Sequence, residues 1–215
     1  YPLLSFDSVF EERGILMSEV EAPSIPDSQR FKQVSSYHGL RVAMYFSAFA
    51  AADVWFEITA LPIAALLSVV IGLITGSYLS GIFHEWGHFI GARVSKSRSP
   101  MVRKPQDEFI FGFDMERNSS SKFLSMSLGG PLGNLALVAM VFLLVPLDNI
   151  GRAALFAMVA GKLVAVLVFE GPIILRVFQG GHPQEELDRQ LGNGSQDRGA
   201  VIGYIVTAVL WFLAV

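Results

Sequence analysis

From residue 55 onward, long apolar blocks follow one another with only short polar breaks between them. The first, 55–75, reads WFEITALPIAALLSVVIGLIT, and Gly76 separates it from a second, 77–94, SYLSGIFHEWGHFIGARV. Three more lie at 122–146, 152–178 and 199–215. A helix rises about 1.5 Å per residue and a hydrocarbon layer is ~30 Å thick, so each block is near a membrane-crossing length, the second and fifth being short. The pattern predicts an all-α polytopic membrane protein with about five transmembrane helices. The stretch 41–58, RVAMYFSAFAAADVWFEI, is less clear-cut. Asp53 and Glu57 favour an interfacial helix, over about 41–54, leading into the first span rather than a span of its own. Residues 1–40 form a polar N-terminal segment with Pro2, Pro23 and Pro26, and do not read as a signal peptide. Between the second and third blocks, the run Phe109–Phe113 within DEFIFGFDMER is strand-like and predicts a short β element at the inner face.

Composition fits a lipid environment. Of 215 residues, 52% are hydrophobic and 16% charged, and the mean hydropathy is +0.49, a balance rarely met in soluble domains. A net charge of −3, with no basic stripe, gives no reason to expect nucleic acid. The absence of cysteine removes disulfides, thiolate ligands and a cysteine nucleophile. Orientation follows from the basic residues. With five spans and the N-terminus inside, fourteen of the 16 Lys and Arg fall inside, Arg41 and the seven from Arg93 to Lys122 among them. Arg152 alone lies outside, and Lys162 sits within a span. Under the positive-inside rule this predicts a multi-pass protein of a bacterial-type inner membrane with a cytoplasmic N-terminus.

The second block holds the candidate chemistry, His84, Glu85 and His88 in HEWGH. Ionisable groups inside a span are costly and face partners or a wet cavity. Two histidines four apart share one helix face and can bind one Zn²⁺ at about 2.0–2.1 Å. Glu85 is turned by about 100° from His84, close enough to exchange a proton with water beside the ion. This is the HExxH arrangement of zinc metalloproteases; two histidines hydrogen-bonding across helices are the plainer reading. A zinc site needs a third protein ligand. His38 and His182 lie in polar segments and read as surface histidines. Depth separates the acids: counted from the inner ends, His88 is about 9 Å deep, Glu170 about 12 Å and His84 about 15 Å, whereas Asp148 sits in the outer turn. Glu170 can meet the histidines, and the other reading of it is a partner for Arg176 or a helix-packing hydrogen bond. Lys162, eight residues before Glu170, is two turns up and about 80° round. It snorkels outward, pairs with a carboxylate, or points into the same cavity.

Three motifs together resemble the site-2 protease family of intramembrane zinc metalloproteases. HEWGH (His84–His88) matches the family's HExxH in a span, and GGPLGN (Gly129–Asn134) resembles its GPxxN in the next. FEG (Phe169–Gly171) falls where the family carries LDG, and the likeness covers about 77–178. It implies a protease that cuts a transmembrane segment of a membrane-tethered protein near the cytosolic side. His84, His88 and Glu170 would hold Zn²⁺, Glu85 would be the general base, and Asn134 a polar wall of the site. Two positions depart from the family. Glu170 replaces its Asp, although glutamate is an ordinary zinc ligand. Lys162 replaces its Asn, and the prolines of that substrate-holding stretch are missing. Lys162 can stabilise an oxyanion or lock onto Glu170 or Glu85. The departures leave open a non-catalytic, protease-like membrane subunit that binds another membrane protein. On either reading the partners are a membrane protein and the lipid bilayer.

Overall fold

The computed structural model describes residues 26–101 and 110–214. These form six helices: α1 Asp27–Thr59, α2 Pro62–Val94, α3 Ser120–Leu144, α4 Ile150–Phe178, α5 Pro183–Gly192 and α6 Ser195–Ala214. Helices α2, α3, α4 and α6 are long and apolar enough to cross a membrane. The expected all-α polytopic architecture is therefore found. Most of the polar segment 1–40 lies outside the described residues, as does Phe109.

Three expectations are corrected. First, Gly76 does not end a span. Pro62–Val94 is one helix of 33 residues, and the break comes earlier, at Ala60 and Leu61. Proline disfavours the helical conformation in the residue before it, and Leu61 is accordingly extended (φ −69°, ψ 137°). Ala60 closes α1 in the left-handed region at φ 50°. Gly76 instead lets α4 come close: a Cβ there would lie 2.9 Å from the Leu155 carbonyl oxygen. Second, 41–58 is not a separate element but the second half of α1, a helix of 33 residues, about 50 Å long, that packs against α2 and is not among the helices apolar enough to cross a membrane. Third, the short β element is not formed as a strand among the described residues. A single antiparallel bridge joins Met101 and Phe111, flanked by Gly112 N–H donating to the Pro100 carbonyl at 3.0 Å.

Helices α2, α3 and α4 pack on one another, with α1 against α2 and α6 against α4. Their shared core joins Phe49, Leu79, Leu137, Val141, Leu155 and Val159. The outer faces stay apolar: Leu143 is 76% and Phe212 81% exposed. Apolar surface on this scale suits lipid rather than water.

The two ends of the bundle differ in charge. Arg93, Lys96, Arg98, Arg117, Lys122, Arg176, Arg189 and Arg198 lie where α2, α4 and α5 finish and α3 and α6 begin. We call this the basic end. At the opposite, acidic end, Arg152 meets Asp53 at 2.7 Å, Asp148 at 2.8 Å, and Glu57. Asp53 and Glu57, which had argued against burying 41–58, are thus matched by a cation on α4. Arg41 does not lie at the basic end. It sits fourteen residues into α1, about 20 Å along, with its guanidinium over the rings of Tyr37 and Tyr78.

Candidate metal centre

His84 and His88 project from α2 one turn apart, and Glu170 reaches them from α4. His84 Nε2 is 3.0 Å from Glu170 Oε1 and His88 Nε2 is 3.3 Å from it. The two Nε2 atoms are 2.9 Å apart. Donors about 2.0–2.1 Å from a tetrahedral ion lie roughly 3.3 Å from each other, so shifts of a few tenths of an ångström would seat one. These three side chains are the group among the described residues with ligand atoms close enough together to share an ion.

Four further features fit a cation. Glu170 Oε2 is buried and has no hydrogen-bond partner among the described residues, a costly state for a carboxylate oxygen with no positive charge near it. His88 Nδ1 lies 2.8 Å from the Met126 carbonyl oxygen. A carbonyl only accepts, so Nδ1 carries the proton and Nε2 offers its lone pair to the shared space. Asn134, 1% exposed, stands 3.4 Å from His84 Nδ1, with its Oδ1 buried and unpaired. A half-turn of that amide places Oδ1 on the His84 Nδ1 proton, satisfying both groups and freeing His84 Nε2 in the same way. Finally, Gly130 leaves space where the rings converge: a Cβ there would lie 2.5 Å from His88 Nε2 and 2.6 Å from His84 Cε1.

The local sequence explains the positions. Gly87 and Gly129 bring the α2 and α3 backbones into direct contact, and so do Gly91 with Ser125 and Gly133 with Phe83. This contact carries Asn134 and the Met126 carbonyl to the histidines. Pro131 and Pro172 lie inside α3 and α4, and each removes the hydrogen bond to the carbonyl four residues before it, at Ser127 and Val168.

A cavity of about 820 Å³ opens from this cluster. Glu85 lines it beside the two histidines, and Phe111, Phe113, Phe123, Met126 and Phe169 supply apolar walls. It reaches the seam between α4 and α6, where Lys162 and Tyr204 line it, and is bordered at the basic end by Gln184, Leu187 and Asp188 of α5. Lys162 thus lines this cavity, one of the three fates open to it. Its Nζ lies 5.7 Å from the centre of the Tyr204 ring.

Other expected residues fall as follows. Arg176 pairs with Glu186 at 3.4 Å, so Glu170 is left to the histidines. Asp148 is at the acidic end with Arg152, remote from the centre as depth implied. His38 is a correction: it is buried within α1, 3% exposed, and its Nδ1 accepts from Trp86 Nε1 at 3.1 Å. The Met126 carbonyl was missed, and so was the room that Gly130 makes for the histidine rings. Gly130 had a signal in the doubled glycine of GGPLGN, whereas a backbone acceptor leaves none. Compared with protein-family models, curated proteins and solved structures, the chain matches none.

Proposed function

We propose that this chain is an intramembrane zinc metalloprotease that hydrolyses a peptide bond in or near a transmembrane segment of a membrane-tethered protein. The observation that carries the reading is the meeting of His84, His88 and Glu170, from two membrane-length helices, in the wall of a cavity that Glu85 also lines. Two imidazoles and a carboxylate suit Zn²⁺, leaving a coordination position open. The motif order HEWGH, GGPLGN and FEG, as in the site-2 protease family, supports the same reading. We place the basic end on the cytosolic side of a bacterial-type inner membrane.

Zinc, when bound by His84, His88 and Glu170, supplies Lewis acidity toward water and a carbonyl oxygen. Glu85 takes a proton from the attacking water and delivers it to the departing amide nitrogen, so that the elements of water are added across the C–N bond. Met126 and Asn134 hold the imidazoles in the tautomers the ligand role requires. A helical substrate keeps its carbonyls in internal hydrogen bonds and must unwind before attack. Phe111, Gly112 and Phe113 line the cavity beside the Met101–Phe111 bridge, and their backbone can pair with the unwound chain by edge addition.

The test is purified protein in detergent with metal analysis and a membrane-anchored peptide substrate. One zinc per chain and cleavage are expected for the unaltered protein. Glu85→Gln keeps the zinc and lowers turnover by about 10²-fold or more, whereas His84→Ala loses the metal. Full-rate cleavage by Glu85→Gln defeats the base assignment. Stoichiometric zinc without cleavage of any membrane substrate favours instead the non-catalytic subunit, for which Glu170 and Lys162 in place of the family's Asp and Asn are the motivation.

A further inference from the structure

We propose that Lys162 holds an anionic side chain of the substrate, so that the membrane segment accepted here carries Asp or Glu three to four residues from the bond presented to the metal centre. The inference rests on the proteolytic reading of the same cavity and adds a substrate class to it.

Helix α4 carries two cations within its first half, and they are treated differently. Arg152 is surrounded by Asp53, Asp148 and Glu57. Lys162 has the face of Tyr204 at 5.7 Å, and among the described residues no carboxylate lies within 4 Å of its ammonium. Glu170, the carboxylate on the same helix, is turned to His84 and His88. An intramembrane lysine that lines a cavity and has no carboxylate within 4 Å among the described residues lacks a close counter-charge, and such groups mark substrate paths.

Geometry sets the class of partner. Lys162 is twelve residues from the start of α4 and sixteen from its end, that is, about 18 Å and 24 Å along the axis. A lipid phosphate at either surface is far from that depth. A side chain of a membrane-crossing peptide is not. From Lys162 to Glu170 the helix rises about 12 Å, and an extended chain advances about 3.3 Å per residue, which gives the spacing of three to four. The cavity is continuous between the two residues, so one unwound segment can occupy both places. Gln184 and Asp188 border it at the other extremity, nearer the basic end, so the sign of the lining charge changes along the path.

The experiment measures binding, not cleavage. Zinc-loaded Glu85→Gln protein in nanodiscs is titrated with fluorescein-labelled Leu/Ala peptides of about 20 residues. A single Glu is moved through successive positions, each peptide being compared with its Gln counterpart. At one position, or two adjacent ones, Glu is expected to bind about ten-fold more tightly than Gln. Adding Lys162→Met removes the difference, Lys162→Arg preserves it, and Lys162→Glu transfers the preference to peptides carrying Lys. The arginine and glutamate variants decide the matter if the methionine variant fails to fold. Equal binding of Glu and Gln peptides throughout, a preference that survives loss of the ammonium, or no measurable binding overturns the proposal. So does retention of phosphatidylglycerol that depends on Lys162 without any Glu preference. Cleavage by the unaltered protein is scored separately. A persistent Glu preference without hydrolysis sinks the proteolytic reading and leaves the anion site standing, and hydrolysis without the preference does the reverse.

Discussion

At Gly130 a single methyl group would disturb the candidate metal centre. Its missing side chain leaves the space into which both imidazole rings turn. Gly130→Ala is expected to keep the fold, since the atoms it meets are at the ends of side chains, and to weaken zinc binding by about 10–100-fold, the range seen when the support of metal ligands is disturbed. Competition with a chromophoric chelator measures this, and unchanged affinity refutes the role given to the glycine. At this scale much could be read from the chain alone. HEWGH announces two residues able to share an ion because i and i+4 share a helix face, and depth counted along the spans selects Glu170 over Asp148. What could not be read is the support: the Met126 carbonyl belongs to the backbone, and only the packing of α3 against α2 brings it to His88.

Glycine has a second use at the level of helices. At Gly87 a Cβ would be driven into the Gly129 carbonyl, a piece of backbone that cannot swing aside. Gly39, in the interior of α1, has nothing within 4 Å of the same position. The two alanine substitutions should therefore differ in sign. Gly39→Ala should stabilise by up to about 1 kcal/mol through helix propensity, whereas Gly87→Ala should cost about 1–3 kcal/mol or more by forcing the helices apart. Reversible unfolding in mixed micelles compares them; the same sign for both would discredit the close-packed α2–α3 seam. This distinction also explains why Gly76 misleads. Sequence records that a side chain is missing but not whether the cause is a turn or a neighbour. Pro62 was the better boundary marker, because its restriction on Leu61 is local chemistry.

For the molecule as a whole, the ionic knot at the acidic end joins α1 to α4. Arg152 and Asp53 are mostly buried there, with side-chain exposures of 16% and 7%. Asn149 Nδ2 adds a 2.8 Å hydrogen bond to the same aspartate. Removing one partner of a buried pair strands the other, so Arg152→Met is expected to cost about 3–5 kcal/mol, and Asp53→Asn combined with it to recover a large part. Zinc affinity should not change in either, because Arg152 and Glu170 are eighteen residues, about 27 Å, apart along α4. Equal stability of the single and double variants rules this account out. Sequence reading gave Asp53 and Glu57 to an interface because their partner lies almost a hundred positions away. A long-range neutralising contact leaves no periodicity.

On the proteolytic reading proposed above, the placement of the triad near one extremity would decide what is released. His88 is six residues from the end of α2 at Val94, about 9 Å. A chain severed at that level is divided unequally. The greater part of its greasy length stays on the far side and keeps that fragment anchored, while the nearer piece retains no more than two turns of apolar surface. So short a remnant would not hold a folded cargo at a bilayer, so under that reading whatever was tethered on the arginine-rich side would pass into the aqueous compartment.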